Sequence, residues 1–323
     1  MKIHLPNSAF LHNIESFLNH FDSTNPTTLE LTSDANWVSI HPVVLAITAS
    51  LAKSVSDSGG RLSIAGFTAK SKPYFQRMGL FEYFRSGKQK PIVEHEPSGR
   101  FIPLTRINNS DELNSFLIDL IPLFHMPSEV TEIIKYVLSE LVRNVLEHSL
   151  SKTGAILCAQ YFPRSEHVSI GVADMGVGIH ETIIKSHRSE SVSNSLRLAL
   201  MPGITGKTSK IGGFAFSENA GMGLFFIRSI AKVNRNFFVL YSGDAMYKQL
   251  KPKELEVHRL YRDPTSDRSK LRDRLPLLRG TAVGIDINTV NTKSFNALLG
   301  LIRQTYLSEI KIMKKEKIKA RFI

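Results

Sequence analysis

The sequence has little of what marks a secreted or membrane-spanning chain. It has a single cysteine, Cys158, so no internal disulfide can form, which fits a reducing cytoplasm. Cys158 sits in the apolar stretch GAILCAQYF and reads as a core residue rather than a nucleophile. No apolar run reaches the roughly 18–20 residues that a bilayer-spanning helix needs. The opening residues, MKIHLPNSAFLHNIESF, lack the apolar core of a signal peptide. There is no internal repeat and no low-complexity block. Acidic residues are scarce, 29 against 41 Lys and Arg, a net charge of +12. Two segments hold much of the excess: 251–280 has nine basic and five acidic residues, and 303–323 has seven and two. Such a surface attracts nucleic acid, anionic lipid or an acidic protein, or simply keeps the chain in solution.

What is present reads as an ordinary globular composition, 42% hydrophobic and 22% charged. A length of 323 residues suits about two domains. The break falls in SGKQKPIVEHEPSGR (86–100), rich in Pro, Gly and charge, which divides the chain into 1–95 and 96–310, with a basic tail at 311–323. Before the break, TLELTS (28–33) predicts a strand. The stretch 41–59 predicts a helix with Val44, Ile47, Leu51 and Val55 on one face, stopped by Gly59-Gly60. RLSIAGF (61–67) predicts a strand, and 74–84 a short helix with a turn at Gly79. This βαβα order implies a small α/β domain.

After the break, FIPLTRI (101–107) reads as a strand, 111–124 as a helix, and 128–150 as the clearest helix of the chain. TGAILCAQYF (153–162) and HVSIGVAD (167–174) read as adjacent strands, so the sheet is mixed or antiparallel, because consecutive parallel strands need crossover helices. Short helices over ETIIKSH and SVSNSLRLALM come next. A Gly-rich stretch (202–223) leads into helix 223–234 and strand 236–242. The basic segment 251–280, with Pro264 and Pro276, reads as a mobile insertion before a last strand at 280–287 and a basic C-terminal helix.

Four constellations carry chemistry. On the long helix Glu140, Asn144 and His148 are spaced by four and form one polar stripe. A carboxylate beside an amide suits Mg²⁺, a hard ion with oxygen ligands, and Glu140 can also deprotonate an attacking water. An amphipathic helix with solvated polar residues explains the same spacing. In ADMGVGI (173–179) an apolar strand delivers Asp174 to its end, and Gly176 and Gly178 allow a tight turn. An ionised carboxylate there accepts from an exocyclic amine such as adenine's. In PGITGKTSKIGGFAFSENAGMGLFFI (202–227) a Gly-rich loop feeds a helix N-terminus, an anion site, with Lys207 and Thr208 in reach of phosphates. The GKT at 206–208 is not a P-loop, since position 201, where the first glycine belongs, is Met. Gly280-Thr281 opens the last strand, and the Thr281 hydroxyl can bridge Asp174 and adenine.

The order ELVRNVLEH, DMGVGI, GMGL, GTAV resembles the N, G1, G2 and G3 boxes of the GHKL superfamily of gyrase-like ATPases and histidine kinases, over about residues 100–290. The resemblance implies a Bergerat-type two-layer α/β sandwich with a mixed sheet, binding ATP with Mg²⁺ under a lid of about 203–220. It implies Asn144 and Glu140 at the metal, Glu140 as catalytic base and Asp174 as adenine anchor. His148, Gly176, Gly178, Lys207, Thr208, Thr281 and the GMGL box (Gly221, Met222, Gly223, Leu224) fall in the nucleotide-binding set. The box style is closer to anti-sigma serine kinases and stand-alone ATPase modules than to sensor kinases, and His12, His20 and His41 have no phosphoacceptor context.

The N-terminal stretch ANWVSIHPVVLAITASLAKSVSDSGGRLSIAGF, followed by FQRMGLFEYF, looks like a STAS domain, the fold of anti-sigma factor antagonists. The turn that carries that family's phosphorylated Ser reads Ser39-Ile40-His41-Pro42 here, so the acceptor is out of place and a docking or regulatory role is what remains. The expected function is an ATP-driven switch that signals to a protein partner, STAS-like or another regulator. An anti-sigma-type protein serine/threonine kinase, a non-catalytic nucleotide sensor, and nucleic-acid binding through the basic C-terminus are the alternatives. Homodimer or monomer stays open.

Overall fold

The computed structural model describes residues 1–84, 101–120, 126–204, 223–254, 259–290 and 295–319. The N-terminal unit runs β1 (Lys2–Leu5), β2 (Ser8–Ala9), α1 (Glu15–Leu18), β3 (Phe21–Asp22), β4 (Thr28–Ser33), β5 (Ser39–Ile40), α2 (Pro42–Asp57), β6 (Arg61–Ile64) and α3 (Lys72–Arg77). There follow β7 (Phe101–Ile107), α4 (Ser110–Leu120), α5 (Ser128–Asn144), β8 (Ala155–Phe162), β9 (His167–Asp174), α6 (Gly178–Ile183) and α7 (Val192–Ala199). The chain closes with α8 (Gly223–Val233), β10 (Phe238–Gly243), β11 (Ala245–Gln249), β12 (Ser269–Arg272), β13 (Leu278–Asn288) and α9 (Phe295–Lys319).

The fold is mixed α/β. The small sheet has the order β3-β1-β4-β6, with β1, β4 and β6 parallel and β3 antiparallel to β1. The large sheet has seven strands in the order β12-β11-β10-β13-β9-β8-β7. Every pairing in it is antiparallel, so the expected mixed sheet is corrected to an antiparallel one. The reason is local. β8 and β9 are joined by a four-residue turn, and β10 and β11 by the single residue Asp244, and connections that short allow only antiparallel neighbours.

The central strands are apolar on both faces, but the faces differ in residue size. On β9, Val168, Ile170 and Val172 join the core formed with α5, α8 and α9, and on β13 Val283, Ile285 and Ile287 do the same. The alternate positions, Ser169, Gly171, Ala173, Ala282 and Gly284, are small, as is Cys158 on β8. Strand alternation puts them on the opposite face. There α2 lies across the sheet, with twelve of its sixteen residues buried. Cys158, Ala173 and Ala282 share one core with Val43, Ile47 and Leu51 of α2. The sheet is therefore covered on both faces, where the two-layer sandwich leaves one uncovered.

Gly171 and Gly284 are cross-strand neighbours and form the seat for the first turn of α2. A Cβ on Gly171 would lie 2.2 Å from Val43 N, and one on Gly284 2.7 Å from Leu11 and 3.1 Å from Val43. His41 caps α2: its Nδ1 accepts from Val43 N at 3.0 Å, and its Nε2 donates to Asp286 Oδ1 at 3.2 Å. Ser169 Oγ donates to the same oxygen at 2.5 Å.

Part of the expected mobile insertion is a paired strand: within 251–280, β12 pairs with β11. Arg197 Nε donates to both oxygens of Asp263 at 3.0 and 2.9 Å, and Asp267 is buried against Arg228 and Lys232 of α8. Arg197 holds the Asp263 carboxyl down at about 2. Ion pairs of Asp263 and Asp267 fasten the segment, while Lys270, Arg272 and most of its other described charges stay exposed. Among the described residues no helix is long and apolar enough to cross a membrane.

Candidate functional site

The long helix of the sequence reading is regular only as far as Asn144. From Val145 to Ser149 it opens into a π turn, and Leu150 ends it with φ of 53°. A π turn is rare and collects at functional sites, and a positive φ is unusual for leucine. Leu150 is also 72% exposed. The stripe Glu140–Asn144–His148 therefore does not continue as an α-helical row; half-buried His148 belongs to the π turn.

The π turn ends against the turn that follows β9. Val177 N donates to Ser149 O at 2.8 Å, and a Cβ on Gly176 would lie 2.0 Å from that same oxygen. Gly176 is thus required by backbone packing, a reason distinct from the expected approach of a ligand. Gly178 has φ of +79°, and a Cβ there would meet Ser242 Oγ at 2.9 Å. Ser242, on β10, donates to Gly280 O at 2.5 Å and accepts from Ile179 N at 3.0 Å. Its Oγ lies 3.4 Å from Thr281 Oγ1. Ser149 and Ser242 were missed in the sequence because single serines in a helix end and a strand carry no pattern.

Asp174 stands at the centre of this cluster, paired in register with Thr281. It is 1% exposed. Burial pushes its carboxyl up to about 7, against the Gly176 amide, the Ser149 hydroxyl and the Thr281 amide, which pull it down. The Gly176 amide donates to Oδ1 at 2.7 Å. All three donors are neutral, so among the described residues no cation balances the carboxylate.

Glu140 and Asn144 meet at the start of α8. A Cβ on Gly223 would lie 3.1 Å from Glu140 Oε2 and 3.3 Å from Asn144 Nδ2. Asn144 Nδ2 is buried and has no hydrogen-bond partner among the described residues. Burial raises the Glu140 carboxyl above its ordinary range; Arg143, 3.8 Å away, opposes this and Glu147 adds to it. Leu224, half-buried in the first turn of α8, packs on the helix-side core. Lys207, Thr208, Gly221 and Met222, with most of the expected lid, lie outside the described residues.

Two groups therefore assemble: Glu140, Asn144 and Gly223, and Asp174, Gly176, Gly178 and Thr281 with the two serines. The π turn joins them in sequence, running from Asn144 to Ser149. Among the described residues no cluster of three or more His, Cys, Asp or Glu could hold a metal by itself. The oxygen donors Glu140 and Asn144 nonetheless fit a hard divalent ion that keeps several waters and takes the rest of its ligands from phosphate. The Asn144 amide nitrogen, without a partner among the described residues, and the bare Gly223 beside it are what a ligand-binding position leaves. No protein-family model matches the chain, and no curated protein matches it in sequence.

Proposed function

We propose that this chain is a Mg²⁺-dependent ATP-binding switch of the GHKL type that signals to a protein partner. The observation that carries the reading is Asp174, a buried carboxylate at a strand end with neutral donors only. Ionisable groups with strongly shifted pKa values collect at functional sites. An adenine amine donating to Asp174 favours its ionised form. The order of the four sequence boxes supports the same ligand.

In this reading Asn144 and Glu140 would hold Mg²⁺, which would neutralise phosphate charge. Glu140, its pKa raised by burial, takes the proton of an attacking water. Gly223 opens α8 and leaves the helix N-terminus accessible to phosphate. In this reading the small N-terminal sheet is the regulatory part. Its helix α2 is buried on the large sheet and is not a free docking face, so the partner reads another surface.

Calorimetric titration with a non-hydrolysable ATP analogue and Mg²⁺ tests the reading. Wild type is expected to bind, Asp174→Asn to lose binding, and Glu140→Gln, which keeps an oxygen for the metal but cannot take a proton, to bind without releasing phosphate from ATP. Transfer of label to a protein serine instead of water would identify the kinase variant of the same chemistry. No binding by folded wild type would falsify the nucleotide assignment altogether.

A further inference from the structure

A second polar site lies at the far edge of the large sheet, separate from the cluster around Asp174. β12 is the edge strand, and β11, β10 and β13 stand between it and β9. At about 4.8 Å per strand that is roughly 19 Å. A concave surface of about 720 Å³ opens there between β12 and the N-terminal segment that carries α1. Lys248, Lys270 and Arg272 line it together with one carboxylate, Glu15. Lys248 and Lys270 are cross-strand partners, and Arg272 is two residues further along β12 and so on the same face.

The charges are not equivalent. Lys248 is 2% exposed and already engaged, donating to Glu15 at 2.7 Å and to His12 O at 2.7 Å. Glu15 is held by Lys248 and also paired with Arg272; burial opposes, and the Lys248 bond with these charges holds its carboxyl below the ordinary range. Lys270 and Arg272 remain exposed along the rim, Arg272 only 3.7 Å from Glu15. Just before β12, exposed Arg268 follows the same alternation and bonds Lys251 O.

The groove is also flanked by rings. His12, which lines it and is exposed, stacks on Phe10 at 6.1 Å and 7° between planes, and lies 6.2 Å from Phe237. Lys251 Nζ sits 5.4 Å over the Phe237 ring. Cations at a two-residue repeat beside half-exposed rings are the combination that holds single-stranded nucleic acid, with phosphates on the cations and bases on the rings. An edge strand rich in Lys and Arg also repels a second copy of itself, which rules against self-pairing through β12.

We propose that this groove binds single-stranded nucleic acid, with Lys270 and Arg272 on its phosphates and His12 offering a stacking face. The test is fluorescence anisotropy of the full chain with a labelled oligothymidylate of about 20 nucleotides, read over a range of salt. Wild type is expected to bind with an affinity that falls steeply as salt rises. Lys270→Glu with Arg272→Glu is expected to weaken binding by about tenfold or more. It should also flatten the log–log salt slope by about 1.4, since each phosphate contact on a single strand contributes about 0.7. Both residues are exposed, so an unchanged Tm is the control for folding, and Lys270→Ala alone serves if the double variant is unstable. His12→Ala is expected to weaken binding about fivefold while leaving the slope intact, as loss of stacking without loss of charge does. Equal affinity and slope in the charge-reversed variant would overturn the proposal. So would loss of binding only on removal of residues 313–323, or capture of an alternating Glu peptide in preference to the oligonucleotide.

Discussion

Asp174 and Asp286 are both buried carboxylates on the same pair of neighbouring strands, yet their environments drive them in opposite directions. Asp286 faces the N-terminal unit. Burial opposes its ionisation, but His41 and Ser169 donate to it and His167 lies 3.9 Å away, and together they hold its carboxyl below the ordinary range. Asp174 faces the helix layer and has only neutral donors, so burial wins and its carboxyl rises to about 7. The first is built into the architecture, since its partners cap α2 and fasten it to the sheet. The second is held ready for a charge or a donor that the described protein does not supply. Burial alone therefore does not mark a functional carboxylate; Asp286 is buried too, yet its side-chain donors hold it below the ordinary range.

The comparison can be broken most severely at Asp286. Asp286→Ala leaves His41 and Ser169 buried without their acceptor and is expected to cost about 3–5 kcal/mol, read by urea unfolding. Asp174→Asn is expected to move stability the other way. The folded chain keeps the Asp174 proton up to about pH 7, whereas the unfolded chain loses it near 3.8. Stability from this group is complete below about pH 4 and is lost as pH rises through 7. The Asn variant therefore gains on wild type with rising pH, by at most about 4 kcal/mol at pH 8. A difference that does not grow between pH 5 and pH 8 in thermal melts would contradict the assignment. Asp286 runs opposite: its contribution is present above the ordinary carboxylate range and is lost as pH falls through its lowered value.

Gly171→Val comes next. It pushes the first turn of α2 off its seat and is expected to destabilise by about 3 kcal/mol. Because α2 carries His41, the loss should be partly shared with Asp286→Ala in a double-mutant cycle and additive with Asp174→Asn. Smallest is Ser242→Ala, about 1 kcal/mol, from the lost hydrogen bonds to Gly280 and Ile179. It should weaken nucleotide binding with little change in the α2 contact, a split that nucleotide titration and hydrogen exchange together can read.

Much of the fold was legible in the sequence. β4, α2, β7, β8, β9 and β13 lie where apolar runs and Gly breaks predicted them, within a few residues. What was not legible depended on distant partners. β11 escaped notice because AMYKQ ends in Lys248 and Gln249, both buried in the fold. Lys248 is tolerated there through Glu15, 233 residues away in the chain, a pairing that no local pattern contains. β12 was read as a mobile insertion because its charges look solvated, whereas the neighbouring Asp263 and Asp267 hold the segment to α7 and α8. Of the site, Asp174 and its glycines were readable from an apolar strand running into a Gly turn. The π turn after Asn144 was not, since VLEHS continues a good helical pattern and opens only because Ser149 must meet Gly176. The small residues on the back of β9 and β13 were visible all along. Their meaning as a helix seat needed the sheet register, which sets Gly171 beside Gly284.

That glycine pair has a consequence for how such a chain can vary over descent. At Gly171 the helix backbone itself lies against the sheet, so no side chain there can absorb a size change, whereas at Gly284 the contacts are the Leu11 and Val43 side chains. A mutation at Gly171 must be met by a shift of the first turn of α2, and a foreign unit would have to bring a first turn at the same height. The two halves of this protein are thus poor candidates for shuffling into other combinations, and they are expected to change in concert, as one heritable piece.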